Sequence, residues 1–252
     1  MSQKKTALIT GASSGIGRAT AFTLAQQGFR IIATGRRTDR LQELVEQFGQ
    51  GTVKTLAFDV RDKAAVQEAI AGLPAEWSTI DVLINNAGNA HGLAPIQSGD
   101  VDDWDAMLDI NVKGLLYVIK AVLPGMVARK SGHIINIGSI AGKEAYANGN
   151  VYCASKFAVD ALSKAMRIDL VQEGVKVSEV NPGAVETEFS EVRFKGDKER
   201  AATVYKGYEA LQAEDIADLI HFMLTRPARV NIAEVLILPA AQASATVMHK
   251  QL

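Results

Sequence analysis

Thr6-Ala7-Leu8-Ile9-Thr10-Gly11-Ala12-Ser13-Ser14-Gly15-Ile16-Gly17 decides how this chain folds. Thr6 to Thr10 reads as a short apolar strand, and Gly15 to Gln27 reads as the helix that follows it. Between them, glycines permit a tight turn and let the backbone approach a pyrophosphate, while the helix N-terminus offers unpaired N–H groups to its charge. The spacing is G-x-x-x-G-x-G rather than the commoner G-x-G-x-x-G. Glycines also mark plain turns, but their position between a strand and a helix points to dinucleotide binding.

The same alternation continues outward. Arg30 to Thr34, Val53 to Phe58 and Asp81 to Asn85 read as strands. Leu41, Leu44, Val45 and Phe48 fall on one helical face between them, as do Val66, Ala69, Ile70 and Leu73. A long helix is expected from about Val101 to Met126, with Pro124 marking or bending its end. His133 to Gly138, Val175 to Asn181 and Glu234 to Leu238 complete seven strands, with helices expected over Asn150 to Glu173 and Glu214 to Thr225. Such alternation predicts an α/β, doubly wound fold: a seven-stranded parallel sheet with helices on both faces. No linker or repeat divides residues 1–252, so one domain is expected. Two stretches break the rhythm as long loops, Ala90 to Asp100 and about 186–206. Both leave the carboxyl ends of strands, where doubly wound sheets bind ligands. The second is either a solvated loop or an active-site lid.

Composition narrows the function. The 252 residues carry 27 Lys+Arg against 28 Asp+Glu, a net charge of -1, with 48% hydrophobic and 22% charged residues. These values exclude a disordered chain, and the charge balance argues against a dedicated nucleic-acid binder. Cys153 is the one cysteine, so no intrachain disulfide forms, which favours a reducing, cytoplasmic setting. No metal site is expected, because His91, His133, His221 and His249 are scattered. No uninterrupted apolar run approaches the roughly 18 residues of a membrane span.

Arg36 and Arg37 stand at the end of the second strand, and no acidic residue precedes Asp39. A carboxylate there would hold a free ribose 2′-hydroxyl; arginines suit a 2′-phosphate. NADP(H) is therefore expected over NAD(H). Tyr152 and Lys156 lie four apart on a helix and share a face. An ammonium about 4 Å from a phenolate, at an effective dielectric near 20, is worth about 4 kcal/mol. That predicts a phenol pulled down by roughly three pH units, an acid/base poised near neutrality. Ser139 follows a strand end, a place from which a hydroxyl can meet a substrate carbonyl, and Asn111 is a poor helix former inside a long helix; taken alone, each equally fits a structural role.

In combination these residues resemble the short-chain dehydrogenase/reductase family over nearly the whole chain. The motifs are T-G-x-x-x-G-x-G at Thr10 to Gly17, Asp59-Val60, N-N-A-G at Asn85 to Gly88, Asn111, Ser139, Y-x-x-x-K at Tyr152 to Lys156, and Pro182-Gly183 with Thr187. The resemblance implies a Rossmann fold in which Tyr152 is the acid/base, Ser139 positions the carbonyl, Lys156 binds the nicotinamide ribose, and Asn111 holds a relay water. It also implies cofactor contacts from Gly11, Ser13, Ser14, Gly15, Ile16 and Gly17, from Asp59 and Val60 by the adenine, and from Asn86, Ala87 and Gly88. Pro182, Gly183, Val185 and Thr187 then lie along the nicotinamide end, and a homotetramer with the two long helices at one interface is implied.

The stretches Ala33 to Leu41, Leu73 to Trp77, Val122 to Met126, Gly132 to Ser139 and Thr187 to Asp197 look like the NADP-dependent 3-hydroxy acid dehydrogenases within that family. An anionic small-molecule substrate is implied: a 3-hydroxy acid such as serine or allo-threonine, or its semialdehyde. The segment Lys143 to Tyr146, which helps line the family's substrate pocket, leaves room for a shifted substrate such as a sulfonated aldehyde. Phe189 to Lys195 places two cations beside apolar residues, with Arg193 the expected carboxylate partner and Lys195 or His91 as alternatives. A non-catalytic NADP-binding sensor is the competing class, and it would be expected to lack one of Ser139, Tyr152 or Lys156.

Overall fold

Along β1 (Thr6–Thr10) every residue is buried, yet Ala7 and Ile9 join one apolar cluster while Leu8 joins another. Side chains on a strand alternate between faces, so a strand covered on both sides must be apolar at every position. The same division runs through the sheet: Ile31 and Ala33 against Ile32, Val82 and Ile84 against Leu83, Ile135 against Ile134.

The computed structural model describes residues 4–251. After β1 come α1 (Gly15–Gln26), β2 (Arg30–Gly35), α2 (Thr38–Phe48), β3 (Val53–Ala57), α3 (Lys63–Ala71) and β4 (Val82–Asn85). The second half runs α4 (Val101–Leu108), α5 (Leu115–Ala128), β5 (Gly132–Ile137), α6 (Asn150–Leu170), β6 (Val175–Pro182), α7 (Phe189–Arg193), α8 (Lys198–Val204), α9 (Ala213–Leu224) and β7 (Glu234–Ile237). The strands form one parallel sheet in the order β3-β2-β1-β4-β5-β6-β7. Leu24, Leu41, Leu44, Ile216 and Ile220 of α1, α2 and α9 cover one face. Val66, Val118, Val122 and Val159 of α3, α5 and α6 cover the other. Strand order reverses between β1 and β4, and the crevice outside their carboxyl ends is where such sheets take ligands.

Two expectations need correction. The helix expected from Val101 to Met126 is broken at Asp109–Gly114 by a π turn, and α5 continues through Pro124 to Ala128. Pro124 is the tenth residue of α5, so it does not end the helix. By length and mean hydropathy Val101–Ala128 would pass for a membrane span, although it holds no uninterrupted apolar run of that length. Here its buried residues Val118, Ile119 and Val122 pack on the sheet. The 186–206 stretch is not a plain loop either, because it contains α7 and α8.

At the opposite end of the sheet, His133 is buried and shares a 2.8 Å hydrogen bond with Ser178 Oγ, which donates to Asn231 Oδ1 at 3.1 Å. Burial, with Lys176 and Lys5 nearby, pushes the imidazole down to about 3. An unfolded chain therefore binds a proton below about pH 6.5 that the folded chain refuses. This group costs stability progressively as pH falls from about 6.5 towards 3, at up to about 1.4 kcal/mol per pH unit. Urea unfolding of His133→Gln between pH 4 and 7 should show a shallower acid loss than the parent. Parallel curves would refute the assignment.

Candidate active site

Thr10 ends β1 with its hydroxyl turned towards the end of β4. Its Oγ1 accepts the N–H groups of Asn86 at 3.0 Å and Ala87 at 2.9 Å. The Asn86 amide returns the contact, donating to Thr10 O at 2.9 Å. This knot holds the glycine turn against the N-N-A-G segment. Gly15 adopts φ +49 at the start of α1, a conformation that glycine tolerates best. A Cβ on Gly17 would stand 2.4 Å from both Gly11 O and the Asn86 amide nitrogen, so only glycine lets α1 begin so close to the turn.

The turn opens into a cavity of about 630 Å³ along the strand ends. Its walls include Gly11, Ser13, Ser14, Gly15, Ile16, Arg36, Arg37, Asp59, Val60, Asn86, Ala87 and Gly88 at one end. Ser139, Tyr152, Lys156, Pro182, Gly183, Val185, Thr187 and Arg193 line the rest. The sequence-expected residues thus converge, with two exceptions. Gly17 packs beneath the turn, and Asn111 sits behind the wall rather than in it.

These walls fit a dinucleotide phosphate. Ser14 caps α1 without any side-chain hydrogen bond, so the first-turn N–H groups keep their donors for an anion. Gly15 faces Thr187 across the gap, and a Cβ there would come within 3.3 Å of it. At the β2 end the Arg36 guanidinium is 62% exposed and only 3.7 Å from Asp59. Arg37 bonds Glu188 at 2.8 Å and Ser13 at 3.4 Å.

Asn111 lies in the π turn, and π turns are often found where function needs a local break in a helix. Its amide donates to Asn89 O at 2.8 Å and Ser155 Oγ at 3.0 Å, and its carbonyl accepts Asn89 N–H at 2.9 Å. It thereby joins the loop after β4 to α6. On α6, Tyr152 and Lys156 are both buried. Ser139 caps the turn after β5, accepting Ala141 N–H at 3.1 Å, which leaves its own O–H free to donate.

The electrostatics correct one expectation. Lys156 does not draw the phenol towards neutrality. Its Nζ donates to Ile137 O at 2.9 Å, and burial lowers the ammonium to about 8. Burial pushes the Tyr152 phenol up to about 12, with Arg193 and Ser139 pulling weakly the other way. Loss of hydration outweighs the nearby charges.

Arg193 reaches this centre from the end of α7. It donates to Tyr146 Oη at 2.7 Å, its guanidinium lies 4.9 Å over the Tyr152 ring, and its buried Nε has no partner among the described residues. Lys195 points elsewhere, to Asp103 at 3.0 Å. His91 lines a separate cavity of about 110 Å³.

Three features escaped the sequence reading. Glu188 pairs with Arg37 and Arg40 across more than 140 residues, and no local pattern announces it. Glu179 is fully buried beneath Gly138, where burial pushes its carboxyl up to about 7. The C-terminal residues Gln242, Ala245 and Met248 close one side of the cavity.

A family model for short chain dehydrogenases matches residues 5–198, and the chain belongs to that family. It is 49% identical over 239 residues to the NADP-dependent 3-hydroxy acid dehydrogenase YdfG of Salmonella typhi, covering 94% of this chain and 96% of that one. Identity to the protein of the same name in Escherichia coli strain K12 is 47% over 246 residues, covering 97% and 99%. Among solved structures, the closed form of serine dehydrogenase complexed with NADP+ superposes with a TM-score of 0.93 at 47% identity, covering 98% of this chain and all of the other.

The exposed Arg36 carries a specific expectation. Removing one charge-assisted contact costs about 1.5–3 kcal/mol, roughly a tenfold to hundredfold loss of affinity. Arg36→Ala should raise the KM for NADPH by that factor and leave the KM for NADH nearly unchanged. Equal effects on the two cofactors would show that Arg36 does not read the phosphate.

Proposed function

We propose that this protein is an NADP(H)-dependent oxidoreductase acting on a small 3-hydroxy acid or the corresponding semialdehyde. The observation that carries the reading is Arg193, a cation held against Tyr146 and over the Tyr152 ring inside the cavity. A substrate carboxylate on Arg193 would set its C3 oxygen beside Tyr152 and Ser139. The names of the relatives agree with this chemistry.

The residues divide the work as follows. The α1 N-terminus, Arg36 and Arg37 hold the cofactor's phosphates, and Lys156 meets the nicotinamide ribose. NADP(H), when bound, supplies or takes up the hydride. Ser139 donates its free O–H to the substrate oxygen. Tyr152, protonated at neutral pH, gives its proton to that oxygen as negative charge develops there. Lys156 keeps a positive charge behind the phenol below about pH 8. The α7–α8 segment acts as a lid, whose closure excludes water and strengthens the contact with the anion.

We extend the same reading to a cytoplasmic homotetramer. Cys153 is free and buried, as in reducing compartments. Leu116, Phe157 and Ile168 of the two long helices, with Val171 just beyond, are exposed apolar side chains suited to a subunit interface.

Tyr152→Phe keeps the ring and removes the acid, so turnover should collapse while NADPH still binds by fluorescence titration. Retained turnover would overturn the role of Tyr152. Carbonyl reduction should weaken as pH rises through about 8, where Lys156 loses its charge. Lys156→Arg should shift that limb to higher pH.

Arg193→Ala tests the substrate class. Catalytic efficiency on 3-hydroxy acids should drop by about 1.5–3 kcal/mol, with a neutral alcohol of similar size spared. If both classes suffer alike, Arg193 closes the lid without reading the anion. If neither does, the anion site lies elsewhere.

A further inference from the structure

We propose that Glu188 is a positioning residue that latches the lid helix α7 to the arginines at the ribose end of the cavity. One ion-pair network then sets both how the cofactor phosphate is read and where Arg193 stands. This rests on the assignments above of Arg36 and Arg37 to the 2′-phosphate and of Arg193 to the substrate anion.

Glu188 immediately precedes α7, and Arg193 is that helix's last residue. Its carboxylate turns back across the cavity instead of capping its own helix. Oε2 accepts Arg37 Nη1 at 2.8 Å, and Oε1 accepts Arg40 Nη1. A helix of five residues has too few internal hydrogen bonds to define its own orientation, so its anchors must do so. At its second residue, Ser190 Oγ meets Tyr205 Oη at 2.8 Å. At its far end Arg193 O accepts Gly92 N–H at 2.9 Å, while the guanidinium holds Tyr146. Glu188 shares the near end with Ser190, and its contacts are the ones that tie that end to the arginines.

The latch does not spoil the anion site. The ion pairs of Arg36, Arg37, Arg40 and Arg61 use two carboxylates, Asp59 and Glu188, while Asp39 and Glu43 lie near Arg40 and Asp109 lies near Arg61. Four guanidinium groups on two paired carboxylates still leave N–H donors for a phosphate monoester of about −1.5 to −2. Arg37 uses Nη1 on Glu188 and Nε on Ser13, and its Nη2 has no protein partner among the described residues. A guanidinium fixed along two edges presents the third already ordered. Binding linkage is reciprocal: if the latch orders Arg37 for the phosphate, phosphate on Arg37 strengthens the latch.

Hydrogen exchange of the full-length protein, followed over residues 189–204, tests this without turnover. The probes are adenosine 2′,5′-bisphosphate and 5′-AMP. In the parent the bisphosphate should slow exchange in α7 more than 5′-AMP does. Glu188→Gln should speed α7 exchange about fivefold, the scale of a partly screened ionic contact. It should also abolish the difference between the probes. The KM for a 3-hydroxy acid should rise more than kcat falls, and Glu188→Asp should restore part of the loss. Arg40 lies outside the cavity wall, so Arg40→Gln gives a smaller effect in the same direction and serves if Glu188→Gln folds poorly.

Unchanged α7 exchange in both variants, or equal protection by the two probes in the parent, overturns the latch. A responsive lid in a protein inactive on 3-hydroxy acids would instead refute the substrate reading and leave the latch standing.

Discussion

The hydrogen bonds between Thr10 and the Asn86–Ala87 backbone hold the rest of the site in place. β1 and β4 are paired neighbours, but the connections that leave them at the point where sheet order reverses run apart, and the Thr10 contacts tie the two strand ends together. Thr10 Oγ1 accepts two N–H groups that belong to no ladder, and the Asn86 amide bonds the Thr10 carbonyl in return. Gly17 can then sit against Gly11 O, α1 can aim its N-terminus into the cavity, and the loop beyond Gly88 meets Asn111. A second tier lies deeper. Asn85 bonds Asn136, and Asn136 bonds Ser163 of α6, linking β4, β5 and the helix that carries Tyr152 and Lys156. Asn85 Oδ1 is buried with no partner among the described residues, so the network carries one unsatisfied acceptor.

Around this frame the charges are distributed by burial more than by pairing. The Tyr152 phenol stays protonated and the Lys156 ammonium is weakened because both lie out of water. Glu179 shares that environment, and its raised carboxyl avoids placing a full negative charge beneath Gly138. Lys143 offsets what remains, bonding Glu234 at 2.7 Å and Asp160 beside it. The end of the cavity beside β2 is the opposite case. Its arginines stay partly exposed, so pairing with Asp59 and Glu188 orders them without neutralising the site.

The sheet, its covering helices, the glycine turn and the Tyr152–Lys156 pair were legible in the sequence because each rests on short-range pattern, whereas Asp59, Val60, Asn86 to Gly88, Pro182, Gly183, Val185 and Thr187 were implied by the family resemblance. Strand runs are apolar at both phases, helices repeat their apolar positions, and Gly11, Tyr152 and Lys156 sit at fixed spacing within single elements. What escaped depends on contacts between distant segments. The pairing of Glu188 with Arg37 and Arg40 joins the end of β2 to the start of α7. The carboxylate beneath Gly138 comes from the middle of β6, a strand that also carries Lys176, Ser178 and Asn181, so one more polar residue there gives no local signal. Arg193 was visible only as a loop cation, because nothing local shows that Tyr146 stands 2.7 Å away. The phenol's expected shift failed for a related reason: charge separation was read from the helix, whereas burial is set by the whole fold.

The candidate site residues also show how a regular frame and irregular backbone divide a task. Tyr152 and Lys156 need a constant mutual position, and one uninterrupted helix supplies it. Ser139 and Asn111 must reach that helix from elsewhere, and each stands where regular structure gives way. Ser139 caps a 3₁₀ turn at the exit of β5, with its N–H held by Asn181 Oδ1 at 3.1 Å. Asn111 occupies the π turn between α4 and α5, and the widened turn delivers its amide to Asn89 and Ser155 at once. An α-helical turn at that point would keep the ladder intact and rotate everything after it. The poor helix former at position 111 is thus consistent with its surroundings: local propensity and long-range bonding both favour the break.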